Sequence, residues 1–224
     1  MFRIFGPPGT GKTTTLLDLV DRSLEGGASP QQIAFLAFTR KASREAKERA
    51  AQRFNLNPDH DLPYFRTLHS LAFRLLGMRS EQIMTQEHYL ELSNRLGILL
   101  VSGGFVDEND EFSGVLKRES PILRLISLAR LKQSTLQSEY NRSYIENTWT
   151  EVNYVARALT EYKQVHGLYD YTDLLELFVE SGHQMCPKFE LCLLDEAQDL
   201  SPLQWRIAHL LDNKSSKMYC AGDD

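Results

Sequence analysis

Gly6-Pro7-Pro8-Gly9-Thr10-Gly11-Lys12-Thr13 fits the pattern G-x-x-x-x-G-K-[ST] at every required position. An apolar run, Phe2 to Phe5, precedes it, and a helix-like run, Thr13 to Glu25, follows it. Strand, glycine-rich turn and helix in that order make a loop whose backbone N–H groups curl around an anion. Gly9 and Gly11 supply backbone freedom and leave no Cβ in the way. The helix after the loop points its positive end at the same anion. Gly6, Pro7, Pro8, Gly9, Thr10, Gly11, Lys12, Thr13 and Thr14 are therefore the expected cradle of a triphosphate, with Lys12 reaching its outer phosphates and the Thr13 hydroxyl placed for Mg²⁺.

The whole chain sets looser bounds. It has 224 residues, 42% of them apolar, enough for one large or two smaller domains with an ordinary core. The net charge of −5 excludes a generally basic nucleic-acid binder, so any such contact must be local. Cys186, Cys192 and Cys220 form no C-x-x-C pair and read as reduced, buried thiols, which with the absence of a secretory leader points to the cytoplasm. A zinc site drawn from His183, Cys186 and Cys192 has neither standard spacing nor a fourth ligand. No apolar run reaches membrane length.

Taken in order, Leu16, Val20 and Leu24 form the inner stripe of the first helix, which stops at Gly26-Gly27. Ile33 to Phe38 is an uninterrupted apolar run, as expected for a strand covered on both faces, so the chain opens β-α-β and favours a parallel sheet. From Thr39 a helix with Ala42, Ala46, Ala50 and Phe54 inward puts Arg40, Arg44 and Lys47 outward. That basic face reads equally as solvated surface or as a phosphate-backbone contact, because Thr39 to Lys41 lie where open α/β sheets place ligands. Asn55 to Pro63 reads as loop, Tyr64-Phe65-Arg66 as a short strand, and Thr67 to Leu76 as a helix, with His69 at the strand-to-helix turn.

From about Arg79 to Gly167 the pattern is mostly helical, with an acidic loop at Gly103 to Glu111. Ser120-Pro121 starts a helix with Ile122, Leu125, Ile126 and Ala129 on one face, and Trp149, Val152, Ala156, Leu159 and Tyr162 line another that ends at Gly167. Tyr171 to Val179 returns as a helix and Phe189 to Leu194 as a strand, which runs into Asp195-Glu196-Ala197-Gln198-Asp199. An acidic pair at the end of a buried strand, in a chain with a phosphate loop, supplies the second half of a nucleotide site. Asp195 would hold the Mg²⁺ shell and Glu196 would orient and deprotonate a water, at a strand tip neighbouring that of Lys12 and Thr13. Lys217 to Ala221 is a further strand.

These stretches together resemble the UvrD/Rep/PcrA branch of superfamily 1 DNA helicases. Gly6 to Thr13 resembles motif I, Phe38-Thr39-Arg40-Lys41-Ala42 motif Ia, and Thr67-Leu68-His69-Ser70 the element that contacts single strands. Tyr171 to Leu175 is similar to the segment after the 1B insertion, Leu194 to Asp199 to motif II, and Ala221-Gly222-Asp223-Asp224 to the start of motif III. The resemblance implies an α/β fold, a phosphate-loop NTPase with a RecA-like parallel sheet and an inserted mostly helical subdomain: residues 1–79 and 167–224 as domain 1A, 80–166 as subdomain 1B. It implies ATP and Mg²⁺ as ligands, with Lys12, Glu196 and Gln198 catalytic and Thr13 and Asp195 on the metal. Thr39, Arg40, Lys41, Thr67, His69 and Ser70 would contact single-stranded DNA near duplex junctions, in a monomer. A second RecA-like domain with its arginine finger is expected beyond Asp224, and this chain alone would hydrolyse ATP weakly. Two departures are the lack of an adenine-reading segment ahead of Phe2 and an end inside motif III; Arg40 also stands where the family more often has Asn, and Leu68 where it has Phe.

Other classes read from the same residues are a nucleic-acid-binding module with a vestigial ATP site, an RNA helicase of superfamily 1, and a phosphate-loop kinase. The last lacks any sign of an acceptor pocket in the helical region, and the F-T-R-K-A and T-L-H-S stretches favour DNA.

Overall fold

A computed structural model describes residues 1–7, 9–102 and 119–223, the side chain of His183 excepted. The expected roles of Pro8 and Asp224, the acidic loop at 103–111 and His183 as a zinc ligand therefore lie outside the described residues. The elements are β1 (Phe2–Phe5), α1 (Lys12–Glu25), β2 (Ile33–Ala37), α2 (Arg40–Phe54), α3 (Pro58–Asp61), β3 (Phe65–Thr67) and α4 (Leu68–Leu75). Then come α5 (Gln86–Leu96), α6 (Pro121–Leu131), α7 (Leu136–Arg142), α8 (Trp149–His166), α9 (Tyr171–Leu177), α10 (His183–Met185), β4 (Phe189–Leu194), α11 (Pro202–Asp212) and β5 (Ser215–Gly222).

The chain divides into two compact units, Met1–Met78 with Leu174–Asp224, and Arg79–Asp173. The first is an α/β unit around a sheet ordered β1-β5-β4-β2-β3, parallel at every pairing. All five residues of β2 are buried, and β4 exposes only Glu190, the pattern of strands with helices on both faces. Leu16, Leu17 and Val20 of α1 and Ala46 and Ala50 of α2 close one side against Phe35, Leu191 and Leu193. Because each parallel strand leads into a crossover, the carboxyl ends of β1, β2, β4 and β5 emerge along a single edge.

Three expectations are corrected here. Lys12 and Asp195 do not stand at neighbouring tips, since β5 lies between β1 and β4. Phe38 is not the last residue of the buried run: β2 stops at Ala37 and Phe38 is 44% exposed. Asn55 to Pro63 is not all loop. The Asn57 side chain accepts the N–H groups of Asp59 and His60, and Pro58 presets the first turn, so one turn of helix forms.

The second unit is helical, with Val152, Val155 and Leu159 of α8 packed among Leu92, Ile122 and Leu125. The last residues of this unit, up to Asp173, are held by charge. Lys163 donates to Asp170 at 2.6 Å and to Asp173 at 2.7 Å, Arg130 donates to both, and Asp170 and Asp173 cap each other's backbone N–H groups. The first turn of α9 is thereby fastened to α6 and α8. All three cysteines are buried free thiols, with burial pushing Cys186 and Cys220 up to about 11. Among the described residues no helix is long and apolar enough to cross a membrane.

After α9 the helix widens into a π-turn, Phe178–Gly182, that brings Gly182 onto the ring of the fully buried Phe178. A Cβ at Gly182 would stand 2.4 Å from Phe178 Cδ2 and 2.8 Å from its Cγ. Gly182→Ala is expected to lower stability by about 1–3 kcal/mol through overpacking, measured as a fall in the urea unfolding midpoint. An unchanged midpoint would mean that the π-turn is not packed this way.

Candidate functional site

The phosphate loop joins β1 to α1. Gly9 and Gly11 adopt φ of 81° and 82°, left-handed backbone that a side chain would strain. Gly6 is needed for a different reason, since a Cβ there would lie 2.7 Å from Thr10 Oγ1. The Thr10 hydroxyl donates to the Pro7 carbonyl at 2.8 Å and closes the turn. Helix α1 begins after Gly11 without a side-chain cap, leaving its first N–H groups to point out of the loop. Lys12 Nζ folds back over the loop, donating to the carbonyls of Gly6 at 2.8 Å and Pro7 at 3.3 Å and pairing with Asp223 Oδ1 at 2.5 Å. Thr14 follows, exposed, in the first turn of α1.

The acidic side is delivered by β4. Asp195 is buried, its N–H held by the Leu36 carbonyl of β2 at 2.8 Å. Its Oδ2 accepts the Thr13 hydroxyl at 2.9 Å, and its Oδ1 accepts the Glu196 N–H at 3.1 Å. Burial raises the Asp195 carboxyl above the usual range; Thr13 opposes that shift and the Glu196 charge adds to it. Glu196 sits at φ 55°, which is unfavourable for a residue with a side chain and turns the chain sharply at the strand end. Gln198 Nε2 then donates to Glu196 Oε2 at 2.6 Å, and Gln198 Oε1 accepts the Asp223 N–H at 3.1 Å. Every expected residue of the nucleotide site other than Pro8 thus lies on one edge, and β5, the strand in between, adds Asp223. Nothing in the sequence pairs Asp223 with Lys12, because 211 positions separate them.

The donor set fits magnesium better than a metal held by protein alone. Among the described residues no group of three or more His, Cys, Asp or Glu side chains is arranged to hold an ion. Asp195, Glu196 and Asp223 all act on the charge of Lys12, so three carboxylates face one ammonium and an excess of negative charge remains. Hard oxygen donors from Thr13 and Asp195, side by side, suit a small divalent ion whose other positions are filled by water and phosphate oxygens.

A second cluster lies at the ends of β2 and β3, which pair in parallel with Ala37 opposite Thr67. The Thr39 hydroxyl caps α2 by accepting the Ala42 N–H at 3.1 Å, and the buried Thr67 hydroxyl caps α4 by accepting the Ser70 N–H at 3.2 Å. Both threonines therefore shape helix starts. Ser70 Oγ accepts from Arg66 at 3.1 Å, and Arg66 also donates to the Pro63 carbonyl. Arg40 and Lys41 are exposed in the first turn of α2. His69 is half-buried, and burial, followed by the charge of Arg40, pulls its imidazole down to about 4. The exposed Phe38 beside them offers a ring on which a base can stack, and Arg66 brings a cation that burial has partly desolvated. An apolar run ending next to Thr-Arg-Lys was the available signal for Phe38.

Comparison with known proteins adds lineage to geometry. The family model described as UvrD/REP helicase N-terminal domain matches residues 2–224. A Bacillus subtilis (strain 168) relative, YjcD, provisionally named as an ATP-dependent DNA helicase, is 27% identical over 228 residues, covering 96% of this chain and 29% of that protein. The ATP-dependent DNA helicase PcrA of Leuconostoc citreum is 28% identical over 233 residues, 98% of this chain and 30% of the relative. The ATP-dependent DNA helicase Rep of Buchnera aphidicola is 22% identical over 237 residues, 99% and 35% respectively. The chain thus spans about a third of the length of these relatives.

The position of His69 has a measurable consequence. Its folded value of about 4 lies below the ordinary 6.5, so between those pH values the unfolded chain binds a proton that the folded chain does not. The stability from neutral His69 is complete above pH 6.5 and is lost as pH falls toward 4. Allowing for water at the half-buried ring, the wild type should lose about 2 kcal/mol more than His69→Gln across that window, measured by urea unfolding at each pH. Parallel pH profiles would show that the imidazole titrates normally.

Proposed function

The chain belongs to the UvrD/REP helicase N-terminal domain family, and from that premise we propose that it is the part of an ATP-dependent DNA helicase that grips both nucleotide and single strand. The observation that carries this reading is the convergence of Lys12, Thr13, Asp195 and Glu196 on one sheet edge, with Thr13 bonded to Asp195 across 182 positions of sequence.

In this reading the loop amides and the α1 N-terminus hold the phosphates of ATP, and Lys12 neutralises the outer ones. Thr13 and Asp195 would hold Mg²⁺, which when bound offsets charge on the phosphates. Glu196 accepts the proton of the attacking water, and Gln198, bonded to its carboxylate at 2.6 Å, keeps it aimed. Arg40, Lys41 and His69, with Thr39, Thr67 and Ser70 setting the two helix starts, grip the strand through its phosphates while Phe38 meets a base. Both sites hang from β2 and β4, which are adjacent: the carbonyl of Leu36 on β2 holds the N–H of Asp195. Residues 80–166 act as the inserted 1B subdomain. Translocation and unwinding need a second RecA-like domain, which supplies the arginine that speeds phosphoryl transfer. The protein works as a monomer on DNA in the cytoplasm.

Two measurements test the proposal. Binding of a fluorescent ATP analogue should require Mg²⁺ and weaken at least about tenfold in Lys12→Ala, the loss of a charged phosphate contact. Glu196→Gln should bind like the wild type yet lower residual phosphate release by about 10²-fold or more. Equal binding by Lys12→Ala would sink the nucleotide site. For the strand site, replacing Arg40 and Lys41 by Ala should reduce the salt slope of oligo-dT binding by about 1.4, two contacts at ~0.7 each. An unchanged slope would return those residues to the solvated surface, and a preference for oligo-U over oligo-dT would favour an RNA helicase.

A further inference from the structure

Among the described residues Lys12 makes three hydrogen bonds, and they are not equivalent. Two go to carbonyls of the loop itself, Gly6 and Pro7, whose positions the turn dictates. The third goes to Asp223, which follows directly on the last residue of β5 and keeps a third of its side chain exposed, against a tenth for Lys12. An ammonium has three protons. A phosphate arriving at Lys12 must therefore displace one acceptor, and Asp223 is the one that can leave and be rehydrated.

Asp223 is also held from its other side. Its N–H donates to Gln198 Oε1 at 3.1 Å, and the other end of that amide holds Glu196 at 2.6 Å. The fit is close, because a Cβ on Gly222 would stand 2.9 Å from Gln198 Oε1 and 3.3 Å from the Gln198 N atom. The Gln198 amide thus bridges the proposed base and the end of β5, with one hydrogen bond on each side through which a shift of Asp223 can reach Glu196.

We infer that Asp223 is a positioning residue that competes with the outer phosphates of the nucleotide for Lys12, and that its release is passed through Gln198 to Glu196. Lys12 exchanges one anion for another, so its own charge stays compensated throughout. The freed carboxylate repels the phosphate that displaced it, and the end of β5 moves away, drawing on the Gln198 amide. Occupancy of the phosphate loop is in this way reported to the carboxylate that takes the proton. The inference rests on the proposed nucleotide site.

The test uses the 224-residue chain and Asp223→Asn, which keeps size and backbone N–H while removing the competing charge. With Mg²⁺ present, the variant should bind a fluorescent ATP analogue about fivefold more tightly than the wild type, the worth of a partly screened ion pair. AMP, which has no outer phosphates, should bind both equally. In a Lys12→Met background, followed by NMR titration at millimolar nucleotide, the gain should vanish. The Gln198 side-chain amide signals of the wild type should shift on adding Mg-ATP, and Asp223→Asn without nucleotide should move them the same way. Unchanged or weaker binding by Asp223→Asn, an equal gain in the Lys12→Met background, or static Gln198 signals would each overturn the inference. If instead Lys12→Met binds ATP as well as the wild type does, the nucleotide site itself is wrong.

Discussion

Parallel pairing is the constraint from which the rest of the α/β unit follows. A strand whose neighbours run the same way cannot turn back through a hairpin, so each must be followed by a crossover that covers a face of the sheet. Coverage of both faces explains why β2 is buried at all five positions and why β4 admits one exposed residue. It also gathers the strand carboxyl ends on one edge, where chain direction changes from strand to helix and backbone N–H groups are left to point outward. Thr13, Asp195 and Asp223 come from three stretches far apart in sequence and meet because this edge is the one place where β1, β4 and β5 all stop.

What was legible from sequence follows the range of the interaction concerned. The phosphate loop is a local object: glycines at left-handed positions, a lysine and a threonine in fixed spacing, a strand before and a helix after, all within twenty-five residues. The acidic pair is equally plain, since the mainly apolar run Phe189 to Leu194 reads as a strand and Asp195 and Glu196 break it abruptly. Strand order was not legible, because apolar runs say that a strand is covered and not by which neighbour; hence β5 between β1 and β4 was missed. The ion pair of Lys12 with Asp223 was missed for the same reason. The apolar stripe of α8 does not include Lys163, which is buried despite its charge because Asp170 and Asp173 lie within reach. Periodicity counts apolar side chains and passes over a cation that has its counter-ions.

Two buried aspartates show how charge balance separates what is structural from what is exchangeable. Burial pushes both Asp170 and Asp195 toward the protonated form. At Asp170 the guanidinium of Arg130 and the ammonium of Lys163 outweigh burial, and the carboxyl ends below its usual range. Asp173 is paired with the same two cations, so each carboxylate of the cluster meets both Arg130 and Lys163, and removing one member would leave a charge stranded away from water. That is what an anchor for the start of α9 requires. At Asp195 a threonine hydroxyl and the more distant Lys12 do not outweigh burial and the neighbouring Glu196, and the carboxyl ends above its usual range. Its cluster has an excess of anions over cations and stays partly open to solvent at Lys12 and Asp223. A site that carries unbalanced negative charge in its own fold is completed by positive charge from outside, and one whose cation shares a bond with a partly exposed carboxylate can hand that bond to a phosphate. The same elements, aspartate, lysine and a helix start, therefore make a fastening in one unit and the proposed nucleotide site in the other, and the difference lies in whether neighbouring cations outweigh burial at the carboxylate.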